Sequence, residues 1–273
     1  MKRTRAFTLI ELLVVISIIA LLIGILLPAL GAAKNAARRI ANSNNLRGIT
    51  QSMHSFAGQN SQVFPGRNKS GELSKADVQK YGVNYSYSGN GHSVEARNAI
   101  LLGGHFVEPQ SLISPADVSS VKPFKFGATL TGLNSSYSML EIGVGAGRQR
   151  VWNGGVSSHT PLVSDRIAPV AGGSKSFSVS DPLKYSSLWN NEPGKWEGNV
   201  SFGDVHTEYF TSPFMDQTKY GGDAFSGCGI AEESDHDDDL FYDETTSVTV
   251  GTKTSKCSGG ENAAMIWRNN GKR

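Results

Sequence analysis

Glu11 is the one carboxylate in an otherwise apolar run that extends from Phe7 to Leu30. A charge at the centre of a bilayer costs about 2.5 to 3.5 kcal/mol on insertion scales, so an acid retained there has a use. The chemistry open to it is charge pairing with an amine. A bare anchor has no need of that.

Two further groupings carry chemistry-bearing side chains. Asp204, His206 and Glu208 alternate, and on a strand alternation puts all three on one face, where they suit a metal or carboxylate–imidazole site. A solvated outer face with a turn-capping Asp204 is the favoured reading. The run from Glu232 to Asp239, with Asp243 and Glu244 behind it, gathers carboxylates that repel unless solvated or neutralised. Hard oxygens at that density suit Ca²⁺, which takes six to eight ligands, and Asp235, Asp237, Asp238 and Asp239 are the candidate ligands. The run lacks the spaced ligands and central glycine of an EF-hand loop, and simple solvation is the alternative.

Enzymatic patterns are not completed. Ile142 to Arg148 is glycine-rich but lacks the G-x-G-x-x-G spacing and any βαβ setting, and reads as a turn. The six histidines are scattered with no HExxH pair, and no Gly-x-Ser-x-Gly occurs. Nothing assembles a nucleophile, a base and an oxyanion hole. The chain is therefore expected not to be an enzyme, and no organic cofactor is implied.

The element that positions Glu11 is a membrane-length helix. From Leu12 to Leu30 only Ser17, Gly24 and Pro28 interrupt the apolar sequence, which matches the roughly 20 residues needed to cross about 30 Å of hydrocarbon. Lys2, Arg3 and Arg5 on the N-terminal flank hold that end in the cytoplasm and send the remainder outward. Pro28, one turn after Gly24, either kinks or locally unwinds the helix or merely marks the bilayer edge. A cleaved secretory signal is the competing reading, with Ala29, Gly31, Ala32 and Ala33 imitating a small-residue site. Its core would be shorter, about 7 to 15 residues, and would not contain an acid. A plain signal anchor is the other alternative.

Ala6, Phe7-Thr8-Leu9-Ile10-Glu11 and Leu12-Leu13-Val14-Val15-Ile16 resemble the cleavage and methylation signature of type IV prepilins and of type II secretion pseudopilins. The resemblance covers residues 1 to about 58. It implies that a prepilin peptidase cuts between Ala6 and Phe7, removes the basic leader and methylates the new amine. It further implies that Phe7 and Glu11 direct filament assembly, the Phe7 amine of one subunit pairing with Glu11 of a neighbour. The family usually has Gly before the cut; Ala6 is also small, and slower processing at most is expected. The implied partners are the peptidase, other pilin or pseudopilin subunits, an inner-membrane assembly platform and membrane lipid.

Beyond Leu30 the sequence turns amphipathic. Ala33, Ala36, Ala37 and Ile40 recur at helical spacing, and Leu46, Ile49, Met53 and Phe56 follow in steps of 3, 4 and 3. The helix is expected to end near Gly58, before a polar stretch containing Pro65. Lys34, Arg38, Arg39 and Arg47 lie off the apolar stripe, available to lipid phosphates or carboxylates. The remaining sequence, rich in Gly, Ser and Asn, suggests short strands between loops: Ser136 to Ile142, Thr160 to Ser164, Phe177 to Val179, and two strands around a turn at Gly203-Asp204. A short helix is expected within 94 to 107.

The expected fold class is α+β and pilin-like: a long N-terminal helix, its first half transmembrane, packed on an antiparallel sheet of a loop-rich domain. The corresponding divisions are a leader at 1–6, a transmembrane half-helix at 7–30, an amphipathic half-helix at 31–58 and a periplasmic or extracellular β-rich domain at 59–273. Asn44-Asn45-Leu46-Arg47 and Phe64-Pro65-Gly66 also resemble a large group of pseudopilin-like proteins common in planctomycetes. That group tends to end in an Asp-Gly-His-Val type strand; Gly203-Asp204-Val205-His206 is a shifted counterpart.

The whole chain has 26 basic and 24 acidic side chains. Loss of Met1 to Ala6 leaves 23 against 24, so no basic surface for nucleic acid is indicated. Cys228 and Cys257 are the two cysteines, and in an oxidising space they are expected to form a disulfide contributing about 3 to 4 kcal/mol. The function expected from these features is a structural subunit of a secretion pseudopilus or pilus-like filament. A membrane-tethered extracellular binding protein or hydrolase is the alternative.

Overall fold

The computed structural model describes residues 9–86, 91, 93–117, 121–140, 152–166, 168–169, 185–190, 192, 195–212, 214–219, 237–239, 248–250, 253–255 and 265–266. The chain divides into two compact units, residues 1–41 and 42–273. One helix, α1 (Leu9–Gln59), contributes to both and is 51 residues long. It passes through Pro28 without a break, so the expected local unwinding does not occur. Proline removes a single backbone donor, and the long flanking runs of Leu, Ile and Ala keep the rest of the ladder intact.

In the second unit, the part of α1 from Asn42 onward builds one wall of the core. Asn42, Leu46, Ile49, Met53 and Phe56 are all buried, and their steps of 4, 3, 4 and 3 keep them on one helical face. Two short strands, β1 (Arg67–Asn68) and β2 (Gly71–Glu72), form a hairpin after α1. Helix α2 (Lys75–Gln79) follows, capped by Ser74, and α3 (Val94–Gly103) is capped by Ser93, whose hydroxyl accepts from the Ala96 N–H at 3.1 Å.

The central sheet contains β3 (Tyr137–Leu140), β4 (Pro161–Asp165), β7 (Gly198–Phe202), β8 (Thr207–Phe210) and β13 (Met265–Ile266) in the order β13-β3-β4-β7-β8. Every pairing in it is antiparallel. Two-stranded pairings join β5 (Ala168–Pro169) with β6 (Tyr185–Ser186), β9 (Phe214–Lys219) with β10 (Asp237–Asp239), and β11 (Val248–Val250) with β12 (Lys253–Ser255). The architecture is α+β, a long N-terminal helix with antiparallel sheets in a globular domain.

The Phe64-Pro65-Gly66 motif is a structural corner. Phe64 is fully buried and meets the Trp152 ring edge-on at 5.4 Å, while Trp152 Nε1 donates to the Pro65 carbonyl at 2.8 Å. Arg97, also buried, lies 4.8 Å over that same indole and donates through Nη1 to the Leu140 carbonyl at 2.7 Å. Gly66 has φ +97°, and a Cβ there would collide with the Gly91 carbonyl. Both constraints demand glycine. Gly66→Ala is therefore expected to destabilise the domain by about 2 to 4 kcal/mol, read as a lowered thermal midpoint.

Candidate functional site

The first unit holds the residues singled out for assembly. Glu11 lies in the first turn of α1, solvent-exposed like every residue from Leu9 to Ala41. None of the membrane-length apolar stretch of α1 is buried by the protein itself. An apolar helix that its own chain leaves uncovered needs another environment. This one is long and apolar enough to cross a membrane. Ala6 and Phe7, the expected processing pair, lie outside the described residues. Ser17, the one hydroxyl between Glu11 and Gly24, donates back to the Val14 carbonyl at 2.8 Å, which satisfies it within the helix.

The second unit contains a polar site that sequence reasoning missed. Asp165 at the end of β4 is wholly buried, and its carboxylate collects neutral donors from three elements. Asn42 of α1 donates through Nδ2 to both oxygens at 2.8 Å, Trp189 Nε1 donates at 2.9 Å, and the Asn199 backbone N–H of β7 donates at 2.8 Å. Tyr137 of β3 donates its hydroxyl to Asn42 Oδ1 at 2.9 Å. Asn45 completes the arrangement, giving Nδ2 to the Tyr137 hydroxyl at 3.3 Å and to the Ile113 carbonyl at 3.1 Å. Burial pushes the Asp165 carboxyl above its ordinary value, and the hydrogen bonds from Asn199, Trp189 and Asn42 pull it partly back. Burial, with the Asp165 charge behind it, also pushes the Tyr137 phenol well up, so it stays a donor. The group fastens α1 to three strands and a loop at the first residue of the compact unit.

Further polar ties run along the same stretch of helix. Thr50 donates to Ser201 Oγ at 2.8 Å, Ser52 to the Phe106 carbonyl at 2.6 Å, and His54 Nε2 to the Gly203 carbonyl at 2.8 Å. A separate buried ion pair joins Arg166 to Asp117 through two hydrogen bonds at 2.7 and 2.8 Å. Asn42 was available to sequence inspection as the polar residue four before Leu46 on the buried stripe. Asp165 gave no such signal, because a strand of five residues does not reveal which of its ends is covered.

The favoured reading of Asp204 as a turn cap holds, and the expected alternation of Asp204, His206 and Glu208 along one strand needs correction. Strand β8 begins at Thr207, so Asp204 and His206 sit in the turn and do not alternate with Glu208 along a strand. Asp204 caps that turn: its Oδ1 accepts the His206 backbone N–H at 3.1 Å and pairs with His206 Nδ1. Burial pushes the Asp204 carboxyl up, but these bonds from His206 outweigh it and leave it below its ordinary value. The His206 ring stacks on Phe202 at 4.4 Å, which uses its face for packing. Among the described residues, no three His, Cys, Asp or Glu side chains gather as a metal site. The acidic-run backbone from Asp237 to Asp239 is a strand paired with β9. Asp235, Cys228, Cys257 and the expected Phe177 to Val179 strand lie outside the described residues.

The prokaryotic N-terminal methylation motif matches residues 1–27. No curated protein and no solved structure matches the chain. The matched stretch contains Ala6, Phe7 and Glu11 and most of the uncovered apolar part of α1, so the motif and the helix that calls for a membrane are one segment. The chain carries an N-terminal methylation motif of the prepilin type, on a helix long and apolar enough to cross a membrane, which is the mark of a pilin- or pseudopilin-like precursor.

Proposed function

We propose that the mature protein is a non-enzymatic structural subunit of a filament of the type II secretion or type IV pilus kind. Prepilin peptidase cuts between Ala6 and Phe7 and methylates the Phe7 amine, and the basic leader is lost. Until assembly, α1 spans the cytoplasmic membrane with its N-terminus inside and the globular domain outside. An assembly platform in that membrane then moves the subunit into the filament. Glu11 sets the register there, because a neighbour's terminal amine in low dielectric turns a costly charge into a specific contact. The size of the globular domain leans toward a specialised or minor subunit.

The observation that carries this reading is the coincidence of the methylation motif over residues 1–27 with an uncovered apolar helix that runs on without a break to Gln59, its later part built into a folded core. A signal sequence destined for removal has no reason to share a helix with the core of the domain. The test is to shear cells and sediment the released filaments with and without prepilin peptidase. The protein is expected in the sheared fraction of peptidase-positive cells and only in the membrane of cells lacking the enzyme. Membrane retention in both, with the chain still beginning at Met1, would favour a tethered binding protein instead.

A further inference from the structure

Asn-x-Ser, with any residue but proline at the centre, is the acceptor pattern for N-linked glycans on exported domains. It occurs four times, at Asn68-Lys69-Ser70, Asn84-Tyr85-Ser86, Asn134-Ser135-Ser136 and Asn199-Val200-Ser201. The fold closes three of these. Asn199 and Ser201 are buried within β7, in the interior of the central sheet. Asn134 has both ends of its amide in use, Oδ1 accepting the Thr131 N–H at 2.9 Å and Nδ2 donating to the Lys122 carbonyl at 3.0 Å, and Ser136 is fully buried. The stretch 84–86 is tied to Leu130: the Leu130 N–H donates to the Asn84 carbonyl and the Ser86 N–H to the Leu130 carbonyl, both at 2.8 Å, with buried Tyr85 between them. Its serine N–H is therefore committed elsewhere and cannot turn back onto Asn84.

Asn68 differs in each respect. The hairpin register pairs it with Gly71, so Lys69 and Ser70 form a two-residue turn, and Asn68, Lys69 and Ser70 are all exposed. Asn68 Oδ1 accepts the Ser70 N–H at 2.9 Å. That bond fixes the amide plane and brings the serine back toward it, and it uses the amide oxygen, not the nitrogen. Asn68 also borders a cleft of about 310 Å³ whose wall includes Leu73 and Tyr81, with room for a sugar ring against an apolar and aromatic surface. We propose that Asn68 carries an N-linked glycan. The inference rests on the reading that the globular domain lies outside the cytoplasm, where a lipid-linked donor reaches it. Asn68 Nδ2 attacks the anomeric carbon of a glycan held on a polyprenyl diphosphate. A C–N bond forms, the C–O bond to the diphosphate breaks, the diphosphate leaves with the electron pair, and a base of the transferase takes one Nδ2 proton. The nitrogen stays an uncharged amide, and the Ser70 N–H keeps its acceptor.

The test is mass spectrometry of peptides spanning Asn68, taken from full-length protein recovered from its native membrane, with electron-transfer fragmentation to locate the added mass. The expected result is a sugar attached at Asn68, with Asn84, Asn134 and Asn199 bare. Asn68→Gln and Ser70→Ala each abolish the added mass, and Ser70→Thr keeps it, because the acceptor pattern takes either hydroxyl. Retention in the threonine variant separates acceptor chemistry from an effect on folding. A bare Asn68 in the wild-type protein, sugar on Asn134 or Asn199 instead, or an added mass that survives Ser70→Ala would overturn the proposal. The N-terminus is read from the same sample. A bare Asn68 on a chain that begins at Phe7 sinks the glycan and spares the filament reading. A glycan at Asn68 on a chain that still begins at Met1 sinks the filament reading and spares the glycan.

Discussion

Asp165→Ala is expected to lower the stability of the globular domain by about 3 to 5 kcal/mol, the largest effect of a single substitution away from the anchor. The change deletes the acceptor for Asn42, Trp189 and Asn199 at once. Each buried donor left unsatisfied costs about 1 to 3 kcal/mol, and the missing carboxylate leaves a polar void that surrounding strands cannot close. In a unit of this size the loss corresponds to a fall of about 10 °C in thermal midpoint. Asp165→Asn should cost much less. Its carbonyl, standing in place of Oδ2, keeps the acceptor for Trp189, Asn199 and Asn42, and the one bond lost is that from Asn42 to Oδ1. A pH series separates the two roles of the carboxyl. Because its pKa in the folded protein lies above the ordinary value of 3.8, its contribution to stability is fully present below that value. The contribution is lost as pH rises through the raised value. Wild-type protein should therefore lose stability relative to Asp165→Asn on going from pH 4 upward, measured by thermal melts across buffers.

The second large effect is at the other end of α1. Glu11→Ala is expected to leave membrane insertion intact, since removing a charge from an apolar helix makes insertion easier. Filament incorporation should nevertheless fall by a factor of about 30 or more. Truncating one member of a buried, hydrogen-bonded charge pair typically costs about 2 to 5 kcal/mol, chiefly because the other charge is stranded. The measurement is the ratio of sheared to membrane-bound protein in cells that also express the wild-type subunit. Glu11→Asp gives a useful contrast, because the carboxylate remains but stands one methylene further from the amine. Partial incorporation is expected. Equal incorporation of wild type and alanine variant would remove Glu11 from the registration role.

These two residues mark what could and could not be read before the fold was known. Glu11 stood out because a membrane-length segment tolerates no charge without reason, a one-dimensional fact. The stripe of Leu46, Ile49, Met53 and Phe56 was equally visible, and all four are buried. The short helix within 94 to 107 was read from its apolar run and the strands near 136, 160 and 200 from short runs between loop-forming residues, and each has its counterpart in α3, β3, β4 and β7. Asp165 was invisible because its partners lie 24, 34 and 123 residues away, and only pairing of β4 with β7 and packing on α1 brings them together. Asp204 was read correctly as a turn cap, but its alternation with His206 and Glu208 failed for a related reason. Alternation was assumed to begin at the turn, whereas Asp204 competes for the backbone as a side-chain cap and delays the strand to Thr207. Pro28 lies within continuous α1, so of its expected effects the local unwinding is not seen.

The fastening at Asn42 also bears on how force would travel through an assembled subunit. In the proposed filament, load would reach the globular domain through α1, whose first buried residue is Asn42. There the apolar stripe gives way to the Asn42, Tyr137 and Asp165 group. Apolar contacts slide, whereas directional hydrogen bonds at fixed geometry resist displacement until they break. The same cluster is thus the place where a stability variant and an assembly variant should be told apart. Asp165→Ala is expected to lower the amount of folded subunit and Glu11→Ala to spare it.

The most direct measurement is the intact mass and N-terminal fragment spectrum of the protein recovered from its native membrane. A chain beginning at Phe7, with one methyl group on its terminal nitrogen, is the predicted result. A chain that still begins at Met1 with an unmodified amine, in cells whose peptidase is active, would contradict the account.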